Sequence, residues 1–229
     1  FYVAGLSYCI HPMCLLSLPV LPFCWMVRKE KITLVNLMIT AFAGLVIVFC
    51  INRFIAIGVF ELAFSFDLFF VNNLQLGFYS GAVALALMVI GVCYLALRKL
   101  PTRTAYTWAM IFLLAGFLPY LLLFIRSNHN PPIDETNPED IALIKAYMNR
   151  ESYPSSPLLY GPYFDAQLHS ISIKKQIYYK GPDRYHVAGS MPEYQYGKER
   201  MTLLPRMYSN DNKHVQAYRS WTGLKKNER

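Results

Sequence analysis

The sequence predicts an α-helical polytopic membrane protein with about four transmembrane helices, followed by a small α+β domain on the outer side of the membrane. Two observations predict this fold class. Long apolar stretches fill the chain as far as Ile125, and from Arg126 onward the sequence is polar and rich in tyrosine. We therefore divide the chain into a transmembrane region, residues 1–125, and a soluble domain, residues 126–229.

Four stretches are long enough for a transmembrane helix. A hydrocarbon core of about 30 Å needs roughly 20 apolar helical residues, because unpaired backbone groups are costly in lipid. The stretches are Phe1–Val27, Ile32–Asn52, Tyr79–Leu97 and Ala105–Ile125. The first contains His11, and an ionisable side chain at this depth has three readings. It bonds to a neighbouring helix, marks the outer end of a helix beginning near Pro12, or takes part in a site.

The charges of the connections predict the orientation. Short basic loops stay on the cytoplasmic side of a membrane. The basic residues of the first and third connections are Arg28, Lys29, Lys31, Arg98, Lys99 and Arg103. The second connection and everything after Arg126 are therefore expected outside. Because the chain opens on Phe1 without a methionine, a basic leader or a cleavage site, we interpret it as a piece of a longer polytopic protein.

Residues 53–78 are too polar to span a membrane and too apolar for an ordinary loop. Phenylalanines are frequent here, among Glu61, Asp67 and several amide side chains. This mixture is typical of a helix or re-entrant piece in the outer interface. Its role is either interfacial packing or one wall of a groove for a lipid-linked substrate. Gly77 and Gly81 have the GxxxG spacing that permits close approach of helices.

The soluble domain begins with a predicted helix. Asn137 and the proline after it are a side-chain cap and a favourable first helical residue, and the helix is expected to run to about Asn149. Its buried stripe would be Ile141, Ile144 and Met148. Neighbouring side chains on an extended stretch point apart. Asp134 and Glu135, which precede the helix, therefore favour capping and solvation over a shared cation or proton site.

The rest of the soluble domain has strand and turn signals. Gln176–Val187 is predicted to form a hairpin that turns at Gly181 and Pro182. A closing helix is expected after Asn210. Its inner face would carry Val215, Tyr218 and Trp221 or Thr222. The many tyrosines of this domain suit interfaces and packing, with stacking on sugar rings as the alternative.

Two classes of function are disfavoured by composition. The formal net charge of +8 is split about evenly between the two regions, and much of it follows from how membrane proteins orient themselves. No basic face interleaved with stacking aromatics indicates nucleic-acid binding. All five cysteines precede Arg126, so no disulfide framework and no Cys/His metal-ligand spacing is expected in the soluble domain. No cofactor is evident, and a divalent metal stays undetermined.

Several strings resemble one family. These are GLSYCIH (5–11), FDLFFVNNLQLGFYSG (66–81), IRSNHNPPIDETNPED (125–140), AYMNRESY (146–153), PLLYGPYFDAQ (157–167) and LLPRMYSNDNKHVQAY (203–218). They resemble the bacterial multi-pass family called domain of unknown function 2723, frequent in Bacteroidetes. That family is related to the protein O-mannosyltransferases, including a vertebrate enzyme that mannosylates plexin-type receptor domains. The resemblance covers nearly the whole chain.

The resemblance implies a glycosyltransferase of the C superfamily. Such an enzyme takes a sugar, here mannose or a similar hexose, from a polyprenyl-phosphate carrier. The expected partners are the bilayer of the bacterial inner membrane, the lipid-linked sugar, and a periplasmic protein or glycan acceptor. The catalytic acid of the superfamily lies in the first exoplasmic loop, which we expect upstream of Phe1.

An alternative function is a non-enzymatic membrane scaffold of envelope assembly or secretion. A transporter is less favoured, because the last three predicted spans carry no Asp, Glu, His, Lys or Arg and no broken-helix pairs of the kind that transporters use. The candidate residues for a substrate groove or its cap are His11, Glu61, Asp67, Arg126, Asp134, Glu135, Arg150, Tyr160 and Tyr163.

Overall fold

A computed structural model describes residues 1–29, 32–99, 104–134, 136–153, 157, 159–205 and 209–223. Contacts divide the chain into two compact units. The helical unit comprises Phe1–Ser152 together with Tyr179–His186, and the carboxy-terminal unit comprises Tyr153–Tyr178 and Val187–Arg229. This division by contacts differs from the topological boundary at Arg126, which stays a prediction.

The first apolar stretch is interrupted. It forms α1 (Tyr2–Ile10), a 3₁₀ helix (Pro12–Ser17) and α2 (Val20–Lys29). His11 is extended at the first break, with φ of −154°, and Pro19 lies at the second. Proline lacks the N–H that a continuing helix needs, so the continuous helix predicted over residues 1–27 is not formed. A six-residue 3₁₀ helix begins at Pro12, and the placement of His11 at the outer end of a span stays a prediction.

Three helices in the described part of the chain are long and apolar enough to cross a membrane, namely Leu34–Asn72, Ser80–Lys99 and Thr104–Ser127. The first is built from α3 (Leu34–Cys50), a π-helix (Ile51–Ile57) and α4 (Gly58–Asn72). The second is α5 (Ser80–Lys99). The third consists of α6 (Thr104–Gly116) and α7 (Tyr120–Ser127). They correspond to the last three predicted spans.

The segment predicted at residues 53–78 is helical as far as Asn72 and continues α3. The 39 residues of Leu34–Asn72, at about 1.5 Å each, make about 58 Å, nearly twice a hydrocarbon core of about 30 Å. Since α3 alone is long enough for most of one membrane crossing, α4 extends the helix beyond the length that one crossing needs. The placement of α4 in the outer interface stays a prediction.

Glycines allow two close helix contacts. A Cβ on Gly5 of α1 would lie 2.9 Å from the Cα of Gly116 in α6, and a Cβ on Gly81 of α5 would collide with the α4 backbone at Phe66 and Asp67. Gly81 therefore has the role that its GxxxG spacing suggests. Gly77 does not, since a Cβ there would meet nothing within 4 Å.

The core of the helical unit is a cluster of buried side chains from several helices. Its members are Tyr8, Leu15, Ala56, Leu113, Phe117, Tyr120, Ile144 and Met148. Two of them come from α8 (Ile141–Met148), whose predicted stripe of Ile141, Ile144 and Met148 is buried. The cap differs from the prediction, because the side chain of Asp140 accepts from the backbone N–H of Leu143. Asn137 lies outside the helix, in a loop.

The carboxy-terminal unit contains short and long strand pairs. Strand β1 (Tyr160–Pro162) pairs antiparallel with β4 (Met201–Leu203), and Tyr160 lies opposite Leu203. Strands β2 (Leu168–Lys180) and β3 (Tyr185–Tyr196) form the predicted hairpin, which is longer than predicted. The closing helix α9 (Asn212–Thr222) is also present. Trp221 is 84% exposed, so its predicted place on an inner face is wrong.

Candidate functional site

The most enclosed polar group in the described residues is the carboxylate of Asp67 on α4, which is 0% exposed. It accepts three hydrogen bonds. The backbone N–H of Tyr79 and that of Gly81 each donate over 3.0 Å, and the hydroxyl of Tyr185 donates over 2.8 Å. Three donors offset the cost of burying a carboxylate. Asp67 thereby connects α4, the start of α5 and the tip of the β2–β3 hairpin. We call this part of the hairpin, Tyr179–His186, the hairpin tip.

Asn72, at the end of α4, binds the backbone of the same tyrosine. Its amide Nδ2 donates to the carbonyl of Tyr185 over 2.8 Å, and its Oδ1 accepts from the N–H of Tyr185 over 2.9 Å. This pair of bonds replaces the partners that a neighbouring strand would give. We call the set of Asp67, Asn72, Tyr79, Gly81 and Tyr185 the hairpin clasp.

Aromatic rings enclose the tyrosine of the hairpin clasp. Tyr185 is 2% exposed and meets Phe64 and Phe78 edge to face, at centroid distances of 5.5 and 5.1 Å. Burial raises the pKa of Tyr185 well above its usual range, and its hydrogen bond to Asp67 raises it further. The hydroxyl therefore stays protonated and remains a donor to Asp67.

A second polar cluster lies where α7 ends. Ser127 is 1% exposed, and its hydroxyl donates to the carboxylate of Asp134 over 2.6 Å. The amide of Asn137 donates to that carboxylate over 2.9 Å and to the Ser127 oxygen over 3.0 Å. Asn137 has a positive φ of 43°, a conformation that asparagine tolerates better than most residues. These contacts fix the loop between α7 and α8, and we call Ser127, Asp134 and Asn137 the loop cluster.

A third polar group surrounds the π-helix. The hydroxyl of Tyr8 donates to Oδ1 of Asn52 over 2.9 Å, and the hydroxyl of Tyr120 donates to the Tyr8 carbonyl over 3.4 Å. Arg53 forms an ion pair with Glu61 at 2.8 Å. π-helical turns are rare and often occur at functional sites. In this structure the π-helix places Asn52 in contact with Tyr8 and Arg53 in contact with Glu61.

The structure separates the nine candidate residues. Asp67 is in the hairpin clasp, Asp134 in the loop cluster and Glu61 in the ion pair, each committed to partners within the chain. His11 caps the 3₁₀ helix through Nδ1, which accepts from the N–H of Met13 over 3.2 Å. Arg126 is exposed at the end of α7.

The remaining candidates do not form one site. Arg150 follows α8 with a positive φ of 54°. Tyr160 and Tyr163 belong to the carboxy-terminal unit and are 56% and 42% exposed. Glu135 lies outside the described residues. In the part of the chain that the structure describes, no group of three or more His, Cys, Asp or Glu side chains could hold a metal ion.

The sequence reasoning missed Asn72 and Tyr185 as site residues. Tyr185 is 118 positions from Asp67 along the chain, and no local pattern connects the two. One signal was available, because an acid that is buried in an apolar, phenylalanine-rich segment requires hydrogen-bond donors.

Comparison with known proteins gives one match. The model of a family of unknown function, DUF8416, matches residues 154–229. No curated protein and no solved structure matches the chain. The match covers about the last third of the chain and concerns a different family from the one that the sequence strings resemble, so that resemblance stays a prediction.

Proposed function

We propose that this chain is the carboxy-terminal part of a membrane glycosyltransferase. The enzyme transfers a sugar, mannose or a similar hexose, from a polyprenyl-phosphate donor to a periplasmic protein or glycan. It lies in the bacterial inner membrane, with the part after Arg126 outside the cytoplasm. Its catalytic acid lies upstream of Phe1.

One observation carries this proposal. Two of the strings that resemble the family, residues 66–81 and 125–140, contain three of the polar side chains that are buried in the described residues, namely Asp67, Ser127 and Asp140. The first string contains Asp67 and Asn72 of the hairpin clasp, and the second contains Ser127 and Asp134 of the loop cluster. The resemblance therefore falls on residues with a defined structural task, not on apolar composition.

The parts of the chain have separate roles in this proposal. The three long apolar helices, with the interrupted first stretch as a fourth passage, hold the protein in the membrane. The π-helix, with Arg53 and Glu61, forms part of the wall for the lipid-linked donor. The exposed tyrosines of the carboxy-terminal unit, Tyr160 and Tyr163, present rings and hydroxyls to a sugar or a protein acceptor.

A transfer assay tests the proposal. Full-length protein, including the sequence upstream of Phe1, is reconstituted with radiolabelled polyprenyl-phosphate mannose and periplasmic extract. We expect label in protein or glycan, and no label when the first-loop acid is replaced by alanine. A panel of polyprenyl-phosphate hexoses covers other donor sugars. Absence of transfer from all of them, by protein that is folded and correctly inserted, would contradict the proposal.

A second function, a scaffold of envelope assembly or secretion, is favoured by the enclosure of Asp67. A carboxylate that is 0% exposed and accepts from three donors serves architecture, not proton transfer. Complementation of a deletion strain distinguishes the two functions. Rescue of growth by the full-length protein without its first-loop acid supports the scaffold. Failure of that variant, with normal protein levels, supports the enzyme.

A further inference from the structure

Lys180, in the hairpin tip, lies beside the start of a candidate membrane helix. Its ammonium donates to the Tyr79 hydroxyl over 3.0 Å. It also lies 4.9 Å from the centre of the Phe78 ring and 4.8 Å from that of Tyr79. Tyr79 directly precedes α5, whose other end carries Arg98 and Lys99. The 20 residues of α5, at about 1.5 Å each, match a hydrocarbon core of about 30 Å.

This position places Lys180 at the membrane surface when α5 crosses the bilayer. Lysine and tyrosine are typical of that level, where their apolar parts face lipid and their polar ends face water and headgroups. The inference therefore rests on the membrane placement proposed above. It does not depend on sugar transfer.

Docking of the hairpin tip does not need Lys180. Three hydrogen bonds already hold Tyr185, a buried one to Asp67 and two partly buried ones to Asn72. The side chain of Lys180 is exposed, and exposed charged contacts contribute little to stability. A second task for Lys180 is therefore separable from the hairpin clasp.

The ammonium of Lys180 has capacity for a further acceptor. It has three donors, and the Tyr79 hydroxyl takes one. The two rings restrict its position through cation–π attraction. Arg184 closes the same turn, where the N–H of Gly181 donates to the Arg184 carbonyl over 2.9 Å. With Asp183 as the one acid between Lys180 and Arg184, the turn keeps a positive charge.

We infer that Lys180 binds the phosphate group of an anionic phospholipid in the outer leaflet, with the Tyr79 hydroxyl beside it and the positive charge of Arg184 in the same turn. A phosphodiester offers two oxygens to the remaining ammonium donors, and the surface of an anionic leaflet attracts basic side chains. The bound headgroup holds the hairpin tip at the membrane surface. The site recognises a lipid of the bilayer, not a substrate.

Native mass spectrometry of the full-length protein tests this inference. The protein is incubated in detergent with phosphatidylglycerol or with phosphatidylcholine, and the retained lipids are counted. We expect selective retention of phosphatidylglycerol, weakened about fivefold by Lys180→Gln. Lys174→Gln, which removes an exposed lysine of β2, is the matched control and should bind as the wild type does. Equal retention by the two variants would overturn the inference.

Further arms identify the ligand and exclude a folding defect. Displacement of phosphatidylglycerol by an equal concentration of inorganic phosphate, or of polyprenyl phosphate, would overturn the inference in favour of that ligand. Lys180→Gln should keep the wild-type protease resistance of the hairpin, whereas Tyr185→Phe should lower it. Cleavage of Lys180→Gln at the Tyr185→Phe rate would overturn it as well. The transfer assay is separate, so its failure leaves lipid retention measurable.

Discussion

The helical unit and the carboxy-terminal unit are stabilised in different ways. In the described part of the chain, every fully buried hydrophobic side chain belongs to the helical unit. In the carboxy-terminal unit, strands β2 and β3 are exposed along most of their length. A two-stranded hairpin is marginally stable by itself. The helical unit thus rests on close packing and buried hydrogen bonds, and the other unit on backbone pairing and surface contacts.

This difference predicts where substitutions should lower stability most. Leaving a buried donor without an acceptor costs about 1–3 kcal/mol of folding stability, whereas an exposed ion pair contributes about 0–1 kcal/mol. A substitution in the hairpin clasp should therefore lower the free energy of unfolding more than an equivalent substitution in the carboxy-terminal unit does.

Asp67→Ala should have the largest effect. It leaves the Tyr185 hydroxyl and two backbone N–H groups buried without an acceptor, and should lower the free energy of unfolding by about 3–5 kcal/mol. Denaturation of the detergent-solubilised protein, followed by circular dichroism, measures this. Glu61→Ala on the same helix is the control and should cost about 0–1 kcal/mol. Equal losses in the two variants would remove the contrast between buried and exposed carboxylates.

Gly81→Ala should separate α4 from α5. Its Cβ would collide with the backbone of Phe66 and Asp67, and overpacking of this kind costs about 1–3 kcal/mol. Gly91→Ala on the same helix has nothing within 4 Å of its Cβ. That variant should gain about 0.5–1 kcal/mol, because alanine favours helix more than glycine does. Thermal unfolding should show opposite shifts, and shifts of the same sign would refute close contact at Gly81.

Tyr185→Phe should weaken the hairpin clasp while keeping its packing. The change removes one hydrogen bond to a buried carboxylate, which is worth about 1.5–3 kcal/mol. Tyr194→Phe is the control on the same hairpin, since Tyr194 is 52% exposed, and it should change stability by less than about 0.5 kcal/mol. Limited proteolysis of the hairpin measures both. Unchanged resistance of Tyr185→Phe would mean that the hydroxyl does not hold the tip.

Alkaline pH should loosen the same contact. The pKa of Tyr185 is raised in the folded protein by burial and by Asp67, so the unfolded chain loses this proton first. Its stabilisation is fully present below the unfolded pKa of about 10 and falls by about 1.4 kcal/mol per pH unit above it. Tyr185→Phe should lack this component. Parallel pH profiles of the wild type and the variant between pH 9 and about 11 would contradict the assignment.

Asp165→Asn should have the smallest effect. Its carboxylate lies 3.6 Å from the guanidinium of Arg200 in the carboxy-terminal unit, with side chains 26% and 36% exposed. A pair of this kind contributes about 0–1 kcal/mol and is screened by salt. Denaturation at low and high salt measures it. A loss comparable with that of Asp67→Ala would show that the two units do not differ in the way described.

The sequence predicted well what local patterns determine. Apolar length located α3, α5 and the pair α6–α7, and turn residues located the hairpin at Gly181. The main failure is the continuous helix predicted over residues 1–27. Its apolar composition gives no sign of the break beside His11, which proline causes. The helix after Asn137 is also predicted correctly, but its cap is Asp140, because the Asp140 side chain accepts from the N–H of Leu143.

The site was predicted less well, for a physical reason. Asp67 is predicted as a groove residue because it lies in the mixed polar and phenylalanine-rich segment 53–78. Its three hydrogen-bond partners indicate a structural role, and they lie 12, 14 and 118 positions away along the chain. Tyr185 lies in a tyrosine-rich region where nothing in the sequence distinguishes it from Tyr178 or Tyr194. Contacts of this range depend on the tertiary fold, which no spacing rule supplies.

The separation of Asp67 from Tyr185 also sets an order of events during synthesis. The donors at Tyr79 and Gly81 emerge soon after Asp67, so α4 and α5 can join early. Tyr185 follows 118 residues after Asp67, which at about 5–20 residues per second takes roughly 6–24 s. During that interval the carboxylate lacks its third donor. The nascent helix pair is therefore most vulnerable to quality-control proteases before the hairpin has been synthesised.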